Sequence, residues 1–114
     1  MSVSFGEIGQ VCATFRAGDG VKPDQVCKIS AGGTVAACAA GDQFCGVTAS
    51  LRGGCAGVVV RGFVTASYTG TEPSVGYAAL AADGAGGVKT AASGGREVLV
   101  AEVDTVNQTL TMLL

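Results

Sequence analysis

The C-terminal stretch REVLVAEVDTVNQTLTMLL, Arg96–Leu114, is the longest part of the chain without glycine or proline. Its length permits a helix, but its composition opposes one because β-branched residues favour strands. The β-branched residues are Val98, Val100, Val103, Thr105, Val106, Thr109 and Thr111. We predict two strands, Glu97–Val103 and Gln108–Leu114, joined by a hairpin turn that begins at Asp104, since aspartate favours the first turn position. Leu110, Met112 and Leu114 then share one face.

Upstream of this stretch, glycine and proline interrupt the chain too often for long helices. The sequence has 19 glycines among 114 residues, and the intervals between successive breakers before Gly95 suit strands of about five or six residues. A globular helix averages about 11–12 residues, longer than any of these intervals. The predicted strands are Gln10–Phe15, Gln25–Ser30, Thr34–Cys38, Phe44–Leu51 and Val58–Ala66, the last with a bulge or bend at Gly62.

The whole pattern predicts an all-β single domain over residues 10–114, a small β-barrel or sandwich with at most one short helix. The alanine-rich segment Tyr77–Asp83 fits one or two helical turns or another strand. Large apolar residues are few, so the core is thin and pairing with copies or a partner would add stability. Residues 1–9 are predicted to form a flexible N-terminal arm, whose apolar Phe5 and Ile8 dock on a partner.

Composition and charge exclude several classes of function. The chain has no histidine, which removes the usual general base and the Ser-His-Asp and Cys-His arrangements. Seven Lys and Arg against nine Asp and Glu give a net charge of −2, so no basic excess is present to bind nucleic acid. The apolar runs are far shorter than the roughly 20 residues of a membrane span. The N-terminal residues also lack the pattern of a signal peptide.

Five cysteines, Cys12, Cys27, Cys38, Cys45 and Cys55, are spread along the first half of the chain. Their number is odd, and their spacing lacks the close pairs of zinc sites. We predict reduced, mostly buried thiols that serve as small apolar side chains. A disulfide, a metal site and a nucleophilic cysteine are the alternatives.

Two motifs resemble ligand loops and fail the detailed comparison. In Gly84–Thr90, the residue before Lys89 is Val88, whereas a phosphate-binding loop requires glycine there and a helix after it. We therefore expect a hairpin or loop crossing. Asp42 and the turn at Asp19 lack the spacing of a calcium loop. No cofactor and no metal are predicted.

Charged residues in the predicted strands have a simpler interpretation than catalysis. Glu97, Glu102 and Asp104 lie on or near the final hairpin, where solvated charges are usual, so no catalytic residue is predicted. Arg61 interrupts the most apolar strand. It is expected on the polar side of that strand, or as an anchor that binds a partner, since arginine is enriched at binding hot spots.

The order of these segments resembles the head-decoration and capsid-stabilising proteins of bacteriophages, a family of small β-barrels. The resemblance rests on Val21–Ala37, Gly41–Val47, Val58–Val64, Thr69–Tyr77, Ala82–Val88 and the hairpin Arg96–Leu114. It implies a structural, non-enzymatic virion component made in the bacterial cytoplasm. Copies, as a homotrimer, would bind the major capsid protein on the outer capsid surface, without nucleic acid, membrane or cofactor.

A second interpretation is a small β-barrel module that binds a sugar or a peptide. Such a module needs exposed aromatic side chains, and clustering of Tyr68 and Tyr77 on one exposed face would favour it.

Overall fold

The computed structural model describes residues 10–114, which form ten β-strands and contain no helix. The prediction of an all-β fold is therefore confirmed. The strands are β1 (Val11–Ala17), β2 (Val26–Ala31), β3 (Thr34–Ala37), β4 (Gly46–Arg52), β5 (Cys55–Arg61), β6 (Phe63–Ser67), β7 (Gly76–Ala82), β8 (Val88–Thr90), β9 (Arg96–Asp104) and β10 (Thr109–Leu113). No helix in this part of the chain is long and apolar enough to cross a membrane.

The first five strands form a closed barrel in the order β1-β3-β2-β4-β5, with β5 pairing back onto β1. Strands β1 and β3 are parallel, and the other neighbouring pairs are antiparallel. Strands β2 and β4 share two register pairs, Val26 with Val47 and Cys27 with Gly46. This short pairing brings the residues that precede β4 beside β2.

The last five strands form a second sheet in the order β6-β10-β9-β7-β8. Strands β9 and β10 are antiparallel, with Thr109 opposite Asp104, and this confirms the predicted C-terminal hairpin. The Asp104 carboxylate accepts hydrogen bonds from the N–H groups of Val106 and Asn107, at 3.0 and 3.2 Å. Asp104 therefore closes the turn in the way expected of aspartate at this position.

The two outer strands of the second sheet, β6 and β8, approach each other at one end. Tyr68, just after β6, forms a parallel bridge with Val88, and the Thr69 N–H donates to the Val88 carbonyl at 3.0 Å. The second sheet therefore curls toward closure, which protects part of its edges.

Gly62 separates the barrel from the second sheet. The sequence predicts one bent strand over Val58–Ala66, whereas the structure has two strands, β5 and β6, in different sheets. Gly62 has φ 111°, and a Cβ there would lie 2.8 Å from Gln10 Cα. The predicted bend is thus confirmed, but the continuous strand is wrong because the backbone at Gly62 turns far enough to change sheets.

The alanine-rich segment Tyr77–Asp83, for which the sequence allowed either a helix or a strand, forms a strand as far as Ala82. It belongs to β7, which pairs with both β8 and β9. Tertiary pairing decides the conformation here, since alanine by itself favours a helix. Leu80 at its centre is fully buried.

Two apolar clusters hold the structure together. The shared core lies between the barrel and the second sheet, and its buried members are Val26, Phe44, Val47, Val59, Val64, Ala66, Tyr68, Leu80, Ala82, Val88, Val98, Val100, Leu110, Met112 and Leu114. The barrel core consists of Cys27, Val35, Ala56 and Val58, with Phe15, Ala17, Val21, Cys45 and Val60 packed against it. The alternation of side chains along β2 sends Val26 to the shared core and Cys27 to the barrel core.

The predicted N-terminal arm, residues 1–9, lies outside the described residues, and so do its Phe5 and Ile8. Their assignment as partner-binding residues stays a prediction.

Candidate functional site

An open cleft of about 710 Å³ lies where one end of the barrel meets the start of β9. Its lining combines three cations, one carboxylate, one thiol and a set of apolar and amide side chains. The residues are Phe15, Lys28, Ile29, Asp42, Gln43, Phe44, Cys45, Val60, Arg61 and Arg96. We call it the cationic cleft.

Four strands and one loop bring these residues together. Arg61 is the last residue of β5, and Arg96 is the first residue of β9. The loop that joins β3 to β4 contributes Asp42 and Cys45. The cleft therefore depends on both sheets, although its two arginines lie 35 positions apart in the sequence.

Lys28 and Asp42 neutralise each other on one side of the cleft. Lys28 Nζ lies 2.6 Å from Asp42 Oδ2, and the Ala39 N–H donates to the same oxygen at 2.8 Å. The hydrogen bond and charge of Asp42 raise the pKa of Lys28, and those of Lys28 lower the pKa of Asp42. Because Asp42 is already paired and hydrogen-bonded, its carboxylate does not resemble the open calcium ligand considered from the sequence.

Within the described part of the chain, the arginines on the other side have no carboxylate partner. Among residues 10–114, the single ion pair is that of Lys28 and Asp42. Arg96 donates to the Cys45 carbonyl at 3.2 Å, and its guanidinium carbon lies 5.7 Å from the centre of the Phe44 ring. Burial lowers the pKa of Arg96, and the positive charge of Arg61 lowers it further. The cleft thus carries two positive charges that are not neutralised by neighbouring carboxylates.

Two cysteines, Cys45 in the lining of the cleft and Cys27 behind it in the barrel, lie on neighbouring segments. The Cys45 N–H donates to the Cys27 carbonyl at 2.8 Å, although the register partner of Cys27 is Gly46. Two consecutive residues therefore face Cys27, an irregularity of the β-bulge type. It turns Cys45 toward the barrel core, where it packs against the cluster that contains Cys27. The Cys27 thiol itself donates to the Gly46 carbonyl at 3.8 Å.

The environments of these two thiols shift their pKa values in opposite directions. The neighbouring Cys45 thiol raises the pKa of Cys27, and burial raises it further. The neighbouring Cys27 thiol lowers the pKa of Cys45 to about 7, against the effect of burial and with help from the charge of Arg96. Cys27 thus stays protonated, and Cys45 carries thiolate character at neutral pH.

Two further polar groups lie near this pair. Burial raises the pKa of Cys38 to about 11, and the charge of Asp42 adds to the effect. The Thr48 hydroxyl is buried without a hydrogen-bond partner of good geometry, yet it lies close enough to Cys27 to lower the pKa of that thiol. Within residues 10–114, no three His, Cys, Asp or Glu side chains are arranged to hold a metal ion.

The burial predicted for the cysteines is wrong at two positions. Cys27 is buried and Cys38 and Cys45 are half-buried, but Cys12 and Cys55 are exposed, and all five thiols are free. Cys12 lies on β1 and Cys55 on β5, and both are exposed to solvent.

The glycine-rich loop that resembles a phosphate loop is a β7–β8 connection, as expected. The Asp83 carboxylate accepts hydrogen bonds from the N–H groups of Ala85 and Gly87, at 2.7 and 3.1 Å. A carboxylate of the chain itself therefore takes the amide groups that a bound phosphate would need.

The two tyrosines do not form an exposed pair. Tyr68 is 4% exposed and belongs to the shared core, whereas Tyr77 is 75% exposed on β7. The condition set for a sugar-binding face is not met.

Of the residues singled out from the sequence, the structure places Arg61, Asp42 and Cys45 in the cleft, with Arg61 exposed. Sequence reasoning missed Arg96 and the Cys27–Cys45 contact. The two cysteines lie 18 positions apart, and nothing in that spacing marks the contact.

No protein-family model matches the chain, and a search of curated proteins gives no match.

Proposed function

We propose that this protein is a structural, non-enzymatic component that binds the outer surface of a bacteriophage capsid as an oligomer. In this proposal the cationic cleft takes an extended, acidic segment of the major capsid protein. The observation that carries it is the pair of arginines, Arg61 and Arg96, that line an open cleft and have no carboxylate partner among residues 10–114.

The chemistry of the cleft suits a protein segment. Phe15 and Ile29 offer apolar contact, while the arginines offer planar donors that match carboxylates. Arginine and aromatic side chains are also the residue types that carry most binding energy at protein interfaces. An acidic partner would be attracted to such a surface, with an association rate that falls as salt rises.

Exposed apolar side chains support the association of several copies. Val75 and Tyr77 lie two residues apart at the start of β7, and Val106 is at the tip of the final hairpin; all three are highly exposed. A surface of this kind gains stability when a second copy covers it. Repeated weak attachment at equivalent lattice positions then adds up over the shell.

Binding to expanded capsids that lack the protein tests the proposal. Purified protein is mixed with the capsids, the capsids are pelleted, and bound copies are counted over a range of concentrations. We expect saturation at a ratio set by the capsid lattice. Sedimentation of the free protein, with a trimer as the expected species, gives the oligomeric state.

A matched pair of charge reversals tests the role of the cleft. Arg61→Glu should weaken capsid binding about tenfold or more, which corresponds to about 1.4 kcal/mol. Arg52→Glu, at the exposed end of β4 outside the cleft, is the control and should bind like the wild type. Equal binding by both variants would contradict the cleft as the contact, and no binding by the wild type would contradict the capsid as the partner.

Of the alternative functions, sugar binding and peptide binding, the structure favours only peptide binding. The same cleft would accept an acidic peptide, whereas the burial of Tyr68 removes the exposed aromatic pair expected for a sugar. Tight binding of isolated acidic peptides together with no binding to capsids would favour this alternative.

A further inference from the structure

The Cys27–Cys45 pair has the arrangement of a reactive thiol and a second thiol that can complete a disulfide. The two residues are joined by the 2.8 Å hydrogen bond from the Cys45 N–H to the Cys27 carbonyl, and Cys45 packs against the barrel core to which Cys27 belongs. Cys45 is half-buried and lines the cationic cleft, whereas Cys27 is 1% exposed inside the barrel. A small molecule in the cleft reaches the first thiol and not the second.

We propose that Cys45 and Cys27 form a thiol–disulfide exchange site for a small, carboxylated disulfide of the oxidised glutathione class. Cys45 is the attacking residue, and Cys27 is the residue that resolves the mixed disulfide. The product is an intramolecular Cys27–Cys45 disulfide. The reaction is a stoichiometric modification of the protein and goes beyond the proposed capsid binding.

The exchange proceeds in two balanced steps. The Cys45 thiolate attacks one sulfur of the small disulfide, the S–S bond of that molecule breaks, and one thiolate leaves with the electron pair. Cys27 then loses its proton and attacks Cys45 Sγ, which breaks the mixed disulfide and releases the second small thiolate. The two cysteines are oxidised by two electrons, and the small disulfide is reduced to two thiols.

The surroundings of Cys45 favour the first step. The neighbouring Cys27 thiol, with help from the Arg96 charge, holds the pKa of Cys45 at about 7, so a large fraction of this thiol is ionised at neutral pH. Attack is fastest when the pKa of the attacking thiol lies near the ambient pH. Arg61 and Arg96 in the same cleft provide donors for the carboxylates of the incoming disulfide.

Position distinguishes Cys27 from the other thiols as the resolving residue. Cys38 packs against the shared core, whereas Cys27 and Cys45 lie together in the barrel core. Cys12 and Cys55 are exposed on strands β1 and β5 and line no part of the cleft.

The experiment uses the full chain with Cys12→Ser and Cys55→Ser, which removes the two exposed thiols. The reduced protein is treated with oxidised glutathione, quenched by an alkylating reagent and mapped by mass spectrometry without reduction. We expect a disulfide that joins Cys27 to Cys45. Trypsin leaves Cys38 and Cys45 in one peptide, so the added change Cys38→Ser confirms the assignment and should leave the disulfide in place.

Two further variants separate the steps. With Cys27→Ala added, Cys45 should accumulate one glutathionyl group, because the resolving thiol is gone. With Cys45→Ser added, neither the adduct nor the disulfide should form in the same time. A circular dichroism spectrum establishes that each variant is folded.

A comparison of reagents keeps the proposal testable even where a cysteine variant does not fold. In the wild-type protein, oxidised glutathione should modify Cys45 several-fold faster than a neutral disulfide such as hydroxyethyl disulfide. Each rate is first divided by the rate of the same reagent with a small free thiol. Arg61→Ala should remove most of that preference, and Arg52→Ala should not. Preferential reaction at Cys38, linkage of Cys27 to Cys38, or no preference for the carboxylated reagent would overturn the proposal.

Discussion

Replacing Gly46 by alanine tests the packing that holds the thiol pair in place. Gly46 begins β4 and lies opposite Cys27. A Cβ at this position would lie 2.3 Å from the Val59 carbonyl oxygen and 2.8 Å from Val58 Cγ1. The first of these atoms belongs to the backbone of β5, so it cannot move aside as the end of a flexible side chain can.

The size of the effect follows from two opposing contributions. Gly46 does not have a positive φ, so its backbone conformation suits alanine. Without the close contacts, alanine would stabilise the fold by about 0.4–1 kcal/mol, because it lowers the conformational entropy of the unfolded chain. Overpacking of a rigid site costs about 1–3 kcal/mol, and the backbone contact at Gly46 favours the upper end. We expect a net loss of about 2 kcal/mol in the free energy of unfolding, or about 8 °C in Tm for a domain of this size.

Gly32→Ala is the matched control, since it is the same substitution at a glycine with open space around it. A Cβ at Gly32 would meet nothing within 4 Å, and this residue too lacks a positive φ. Both variants are unfolded in urea under reducing conditions and followed by circular dichroism. Gly32→Ala should leave the free energy of unfolding unchanged or raise it slightly. If Gly46→Ala proved as stable as Gly32→Ala, this would falsify the assignment of Gly46 as a close-packing position.

Three other outcomes are expected. Thr48→Val should raise the free energy of unfolding by about 1 kcal/mol in urea, because it removes a buried hydroxyl that lacks a good hydrogen bond; a loss of stability would show that the hydroxyl has a partner. The ion pair with Lys28 lowers the pKa of Asp42, so its contribution is present at neutral pH and is lost as the pH falls through the lowered pKa. Between about pH 4 and pH 2, wild-type stability should therefore decline more steeply than that of Asp42→Asn; parallel curves would contradict this. A bulky thiol reagent should label Cys12 and Cys55 promptly in the native protein, and slow labelling of either would contradict their exposure.

The elements of the fold were predictable from local signals. The β-branched content of the final stretch and the aspartate at its centre place a hairpin between β9 and β10, and the structure has it there. Breaker spacing likewise locates β1 to β4 to within a few residues. These signals reside in neighbouring residues, which is why a single sequence contains them.

The partners of each strand were not predictable in the same way. The change of sheet at Gly62 depends on how far the backbone turns, and glycine allows a bulge, a bend and a corner alike. The strand conformation of β7 depends on β8 and β9 on either side of it. Such choices are made by contacts between distant residues.

The candidate site was hidden for the same reason. Arg61 stands out within an apolar strand, but Arg96 looks like an ordinary charge at the start of a hairpin. The contact between Cys27 and Cys45 arises from the short β2–β4 pairing and the irregularity beside Gly46. The spacing of two cysteines in the chain does not specify that geometry.

Gly62 divides the chain into two segments that could reassemble as separate polypeptides. Every strand of the barrel precedes Gly62, and every strand of the second sheet follows it. Each half therefore contains all the strand partners of its own sheet. The two halves are joined by the peptide link at Gly62, by side-chain packing across the shared core, and by hydrogen bonds such as those of Gly41 and Asp42 with Ala82. Two polypeptides cut at this corner would carry complementary apolar faces, and co-expression of the two would restore the fold by fragment complementation.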